Sequence, residues 1–164
     1  MHQIEPKMKK LLTKKMILAV QQSWGDGILK ISSAFRNNED YKSIAIEFIK
    51  QHYGYDDGIV LFKPTLASIE QFRDTFEKAL SYFISGNPNH PEDQGFAIRP
   101  WIKVRFDNAG IIITRHRAVA MGNYFFKDIA GSEVRVEYTF GYYLTRENLV
   151  KINVHHSSLP YKTT

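Results

Sequence analysis

Near the end of the chain, Ile152-Asn153-Val154-His155-His156-Ser157-Ser158-Leu159-Pro160-Tyr161 sets two adjacent histidines against two adjacent serines. The run reads as a β-strand, which sends alternate side chains to opposite faces. His155 and Ser157 then share a face with Asn153, while His156 and Ser158 share the other with Ile152 and Val154. Each face carries an imidazole two residues from a hydroxyl, and one such pair faces the core. An imidazole–hydroxyl pair suits proton transfer or hydrogen bonding to a small ligand. It equally suits a structural histidine satisfied by a serine, because buried polar groups are costly unless paired. His-x-Ser alone does not separate the two.

Other chemistries are narrowed by what the chain contains. There is no cysteine, which excludes disulfides, thiolate nucleophiles and cysteine-based zinc sites. Adjacent strand histidines point apart and do not share an ion, so a metal would need His52, His90 or His116 to join one of them. Glu92-Asp93 follows Asn89-His90-Pro91 and reads as a solvated turn rather than an acid–base pair. The net charge of +5 owes much to Lys7, Lys9, Lys10, Lys14 and Lys15, set against Glu5. The rest is close to neutral and shows no basic stripe, so no nucleic-acid partner is expected. No apolar run is long enough to span a membrane. Lys14 and Lys15 interrupt the apolar stretch Leu11–Val20, so no export signal is read and a cytoplasmic protein is expected.

The elements that must position these groups follow from periodicity. At 164 residues the chain is read as one domain, 1–164, with 1–15 as a basic extension of the first helix. Ile17, Val20, Trp24, Ile28, Ile31 and Phe35 recur at helical spacing, and Asn37-Asn38 ends that helix. Tyr41, Ile44, Ala45, Phe48, Ile49 and His52 make a second helix that stops near Gly54. Ile59–Phe62 is a short buried strand closed by Pro64. Ser68 with Gln71 is a capping-box signature for a third helix carrying Ile69, Phe72, Phe76, Leu80 and Phe83. Phe96, Ile98, Ile102, Val104 and Phe106 share a face, and Asp107–Gly110 is read as a hairpin turn. Strands follow over 111–126, with a bulge expected at Gly122, then 134–144 and 149–158. Helices first and a long-stranded meander after them make an α+β fold, with a pocket between the two layers.

Val60-Leu61-Phe62-Lys63-Pro64-Thr65, Ala79-Leu80-Ser81-Tyr82-Phe83, Glu92-Asp93-Gln94-Gly95-Phe96-Ala97, Pro100-Trp101, Met121-Gly122-Asn123-Tyr124, Tyr138-Thr139-Phe140-Gly141-Tyr142 and the His155-His156-Ser157-Ser158-Leu159-Pro160 run occur in that order. Together they resemble the iota-class carbonic anhydrases, over residues 24–161. The resemblance implies a cone-shaped nuclear transport factor 2-like (SnoaL-like, cystatin-like) fold. It also implies reversible hydration of carbon dioxide to bicarbonate, in some members without a metal. The family's polar pocket positions match Thr65, Tyr82, His155 and Ser157 here. His155 and Ser157 are preferred to His156 and Ser158, which share a face with Ile152 and Val154.

On that resemblance Tyr82 and Thr65 would polarise a water, His155 would orient it or relay its proton, and Ser157 would donate to the nascent bicarbonate. Phe72, Phe76 and Trp101 would form apolar walls around the substrate. No cofactor is expected. Some family members have been described as metal-dependent, which keeps zinc or manganese as the alternative. The competing readings are a non-catalytic ligand-binding or oligomerisation module of the same fold, and an isomerase or cyclase of bulkier ligands. A homodimer is expected, paired through the outer sheet face by Tyr138, Phe140, Tyr142 or their opposite-face neighbours.

Overall fold

The apolar stripe beginning at Ile17 buries one side of α1 (Lys14–Arg36), with Trp24, Ile28 and Ile31 turned fully inward. In this computed structural model, which describes residues 10–163, Thr13 caps α1 by accepting from the Met16 N–H. Lys14 and Lys15 of the basic stretch open the helix. Residues 10–13 run outside it, and Leu12 donates its N–H to the Arg115 carbonyl at 2.7 Å. Residues 1–9 of the expected extension lie outside the described residues. α2 (Tyr41–His52) starts at the Asp40 cap and packs on α1, where Gly27 leaves the space that the Phe48 ring fills.

The sheet contains β1 (Leu61–Lys63), β2 (Trp101–Thr114), β3 (Arg117–Asp128), β4 (Glu133–Leu144) and β5 (Val150–Ser158), in the order β1-β5-β4-β3-β2. β1 pairs parallel with β5 and every other pair is antiparallel. The helices pack on one face of this curved sheet, giving the α+β cone. Val136, Tyr138, Phe140, Tyr142 and Leu144 alternate inward along β4, as their period of two requires.

Three elements differ from the periodicity reading. α3 (Phe76–Ile84) begins eight residues after Ser68, and its cap is Thr75, which accepts from the Lys78 N–H. The amides of Ser68, Ile69 and Glu70 instead donate to the Glu92 carboxylate at 2.9–3.0 Å, so that stretch is a tethered loop. Phe96 and Ile98 lie in a short 3-10 turn (Phe96–Ile98) ahead of the strand. Asp107–Gly110 is not a hairpin turn, because β2 continues through it and reverses at Arg115-His116. Asn108 stays in the strand because its amide points inward and pairs both ways with Gln21 of α1, at 2.7 and 2.9 Å.

The expected irregularity at Gly122 is real but sits across from it, where the register of β2 shifts between Asn108 and Gly110. A Cβ on Gly122 would collide with the Asp107 backbone oxygen and the Ala109 nitrogen, whereas one on Gly110 would meet nothing within 4 Å. Gly122→Ala is expected to destabilise the protein by about 2 kcal/mol or more. Gly110→Ala should stay within about 0.5 kcal/mol. Urea denaturation of both variants checks the pair.

Candidate active site

β5 does not alternate strictly. Val154 pairs with Gly141 and Ile152 with Tyr142, which leaves Asn153 as an extra residue. The bulge puts Ile152, His155 and Ser157 on the same interior side, while His156 is exposed. The interior imidazole–hydroxyl pair is thus His155 with Ser157, although Ile152 lies on their side.

His155 is 2% exposed and lies between two aromatic faces, Phe140 at 4.0 Å and Phe62 at 4.7 Å between ring centroids. Both ring nitrogens are engaged. The Tyr53 hydroxyl is 2.9 Å from Nδ1 and the Tyr124 hydroxyl 3.1 Å from Nε2. Tyr53 leaves the C-terminus of α2 to lie alongside Ile152 of β5, and it accepts a hydrogen bond from the Trp24 indole at 3.0 Å. Burial, with a smaller contribution from His156, pushes the His155 pKa well below the usual imidazole value, so the ring is neutral. Burial likewise raises the Tyr53 and Tyr124 phenols far above their ordinary value.

Ser157 continues this line. Its hydroxyl lies beside the Tyr124 phenol, and Thr65 Oγ1 reaches it at 3.0 Å. Thr65 follows the Pro64 that closes β1, and the parallel pairing of Phe62 with His155 brings the loop over the end of β5. Tyr82 comes from α3. Burial raises its pKa, while the Leu66 backbone N–H beside the phenol acts in the opposite sense. Phe62 touches both Tyr82 and His155, and Phe96 stacks on Tyr82 at 5.9 Å. A cavity of about 280 Å³ opens beside Tyr82, lined by Leu66, Phe96, Arg99 and the turn 92–95 that carries Glu92 and Asp93.

Charged side chains border this cavity, and its carboxylates are paired. The Arg73 side chain is fully buried, forms two 2.7 Å bonds to Asp93 and reaches Glu92 at 3.3 Å. Ser81 of α3 also donates to Asp93, at 2.5 Å. Glu92-Asp93 is therefore not a solvated turn. It is a clamp that ties the 66–75 loop to α3.

The expected apolar walls are only partly in place. Phe72 is 64% exposed and lies in an outer groove with Leu61, Gln71 and Val154, because the 66–75 segment is loop rather than helix. Phe76, at the first turn of α3, packs on Tyr55 at 6.4 Å. Trp101 is buried one layer behind, against Phe96 and Phe126, with its indole donating to the Phe96 carbonyl. The walls that touch the polar groups are Phe62, Phe96 and Phe140. Tyr53, Tyr124 and Trp24 had no assigned role in the sequence reading. Tyr124 was visible only as part of the Met121-Gly122-Asn123-Tyr124 run, and nothing local tied any of the three to His155.

Residues 15–159 match the family described as metal-independent carbonic anhydrase. The chain belongs to the metal-independent carbonic anhydrase family. A protein of that name from Nostoc sp. is 39% identical over 160 residues, covering 96% of this chain and 78% of its own length. The crystal structure of a cyanobacterial iota-carbonic anhydrase complexed with bicarbonate superposes with a TM-score of 0.93 at 37% identity, covering 96% of this chain and 98% of that one. A calcium/calmodulin-dependent kinase II association domain from Xanthomonas campestris has a TM-score of 0.63 at 19% identity over 95% of this chain and 97% of its own. That last likeness shows the shared fold alone. No group of three or more histidine, aspartate or glutamate side chains among the described residues is placed to hold a metal ion. The family is metal-independent, and zinc or manganese is not its cofactor.

The clamp makes the carbonic anhydrase fold acid-sensitive in a defined window. The Ile69, Ser68 and Glu70 amides hold the Glu92 carboxyl down from 4.5 to about 2. A carboxylate depressed on folding contributes stability above its unfolded pKa, and that stability is lost as pH falls through the folded one. The wild-type melting temperature is expected to drop between pH 4.5 and 2. Glu92→Gln should melt lower at pH 7 and decline less through that window, as read by circular dichroism melts across pH.

Proposed function

We propose that the protein hydrates carbon dioxide reversibly to bicarbonate, without a metal, at the pocket shared by Thr65, Tyr82, His155 and Ser157. The observation that carries this reading is a set of hydroxyls and one neutral imidazole set among aromatic rings, beside a cavity whose carboxylates are tied to Arg73. The bicarbonate bound by the similar cyanobacterial enzyme supports the same ligand here.

Hydration needs a nucleophilic water, removal of its proton, and donors for charge developing on the carbon dioxide oxygens. A metal would lower the water's pKa. Here that work falls to preorganised hydrogen bonds, which count for more where water is excluded. Tyr82 and Thr65 hold and polarise the water. Their high phenol and hydroxyl pKa values keep them protonated, so they serve as donors. Ser157 donates to the nascent bicarbonate. His155 has no free ring nitrogen and works by ordering the hydroxyls bonded to it. Phe62 and Phe96 supply the apolar surface for a linear, uncharged substrate.

Removing one such donor costs about 10²-fold in turnover in comparable sites. Tyr82→Phe and Ser157→Ala are each expected to lose about that much hydration rate in stopped-flow assays while keeping the wild-type melting temperature within a few degrees. Unchanged rates in both folded variants would remove these residues from the chemistry.

We further infer that two copies pair through the outer sheet face. Tyr138, Phe140 and Tyr142 are buried inside and take no part. Their opposite-face neighbourhood offers Ile112, Val119 and Met121, all exposed, with Ile112 and Val119 paired across strands. Met121→Glu should shift the mass found by light scattering from dimer to monomer and leave the hydration rate of the folded protein intact.

A further inference from the structure

The hydrogen-bonded line through the core has a direction, and its first member sets it. Trp24 Nε1 carries a proton and has no lone pair to offer, so it can only donate to the Tyr53 hydroxyl. The Tyr53 proton then has one acceptor within reach, Nδ1 of His155 at 2.9 Å. A neutral imidazole with Nδ1 accepting holds its proton on Nε2. Nε2–H must donate to the Tyr124 oxygen at 3.1 Å. Ser157 and Thr65 share the last link at 3.0 Å.

Four hydrogen bonds hold these groups, Trp24–Tyr53, Tyr53–His155, His155–Tyr124 and Thr65–Ser157, and because Thr65 donates to Ser157 the Ser157 proton is left over. We infer that Trp24 and Tyr53 lock His155 in its Nε2–H form, and that Tyr124 is a positioning residue that accepts from Nε2–H and fixes the ring from its other side. This deepens the proposed hydration reading and rests on it. His155 then does not take the water's proton. It is held as a donor to Tyr124, while the Ser157 proton, left over because Thr65 donates to that hydroxyl, is free to meet an oxyanion such as nascent bicarbonate. Reversing the line would require the indole to accept, which its chemistry forbids. The Phe62 and Phe140 faces on either side of the ring keep out any water that would offer Nδ1 a different partner.

The test is the tautomer itself. In long-range proton–nitrogen spectra of nitrogen-15-labelled protein, the His155 signal, assigned by its loss in His155→Gln, should show protonated Nε2 and bare Nδ1, and should not titrate between about pH 5 and 9. Trp24→Phe removes the fixed donor and should mix the two tautomers in the folded variant. Tyr124→Phe should keep the Nε2–H form, because Tyr53 still donates, while lowering hydration kcat/KM about tenfold or more. An Nδ1–H ring or an imidazolium in the wild-type protein at pH 7 overturns the inference. It would do so even if Tyr82→Phe and Ser157→Ala abolish hydration, so the two readings fail separately.

Discussion

A neutral imidazole sealed inside an aromatic core governs this structure. Leaving one of its nitrogens unpaired would cost about 1–3 kcal/mol, so the fold must deliver a partner to each. The two partners come from two other elements, Tyr53 from the end of α2 and Tyr124 from β3, while His155 lies on β5. Trp24 of α1 and Thr65 after β1 complete the line at its two ends. Among the described residues, no buried side-chain nitrogen or oxygen lacks a partner. Such a network fixes the relative placement of helices and sheet more narrowly than apolar packing would, because hydrogen bonds lose their value within a fraction of an ångström.

Around that neutral line the protein keeps its charges apart. Arg73 pairs with both Asp93 and Glu92 beneath the loop that carries Thr65, and the loop amides donate to the Glu92 carboxylate, whose charge the single guanidinium does not fully offset. Breaking one partner of such a buried cluster is costly, which gives the loop a stiffness that its lack of secondary structure would not suggest. In the proposed reading, hydroxyl donors and aromatic faces beside these paired charges receive an apolar gas and stabilise negative charge as it forms.

Much of this was legible in the residues. Long, regularly patterned segments declared themselves, as in the stripe of α1 and the alternation of Val136 to Leu144. The seven ordered motifs pointed to the family and to Thr65, Tyr82, His155 and Ser157, of which Tyr82 lines the cavity and Thr65 bonds Ser157. Local signals failed wherever a distant partner competed for the same backbone. Ser68 and Gln71 look like a helix start, but Glu92, more than twenty positions away, takes the amides. Asp107–Gly110 looks like a turn, but Gln21 holds Asn108 in the strand. Phe72 lost its assigned wall position with the helix that was to carry it. Strict alternation along β5 groups Ile152 with His156, and only the bulge at Asn153, set by pairing with β4, puts it beside His155. Tyr53 and Tyr124 could not be tied to the imidazole from spacing, because each reaches it only through the assembled fold.

The most direct test of the central claim is stopped-flow carbon dioxide hydration on chelator-treated protein with its metal content assayed in parallel. The account predicts full activity at metal levels far below one ion per chain, unchanged by added zinc or manganese. Activity that vanishes on chelation and returns only with added metal would contradict it.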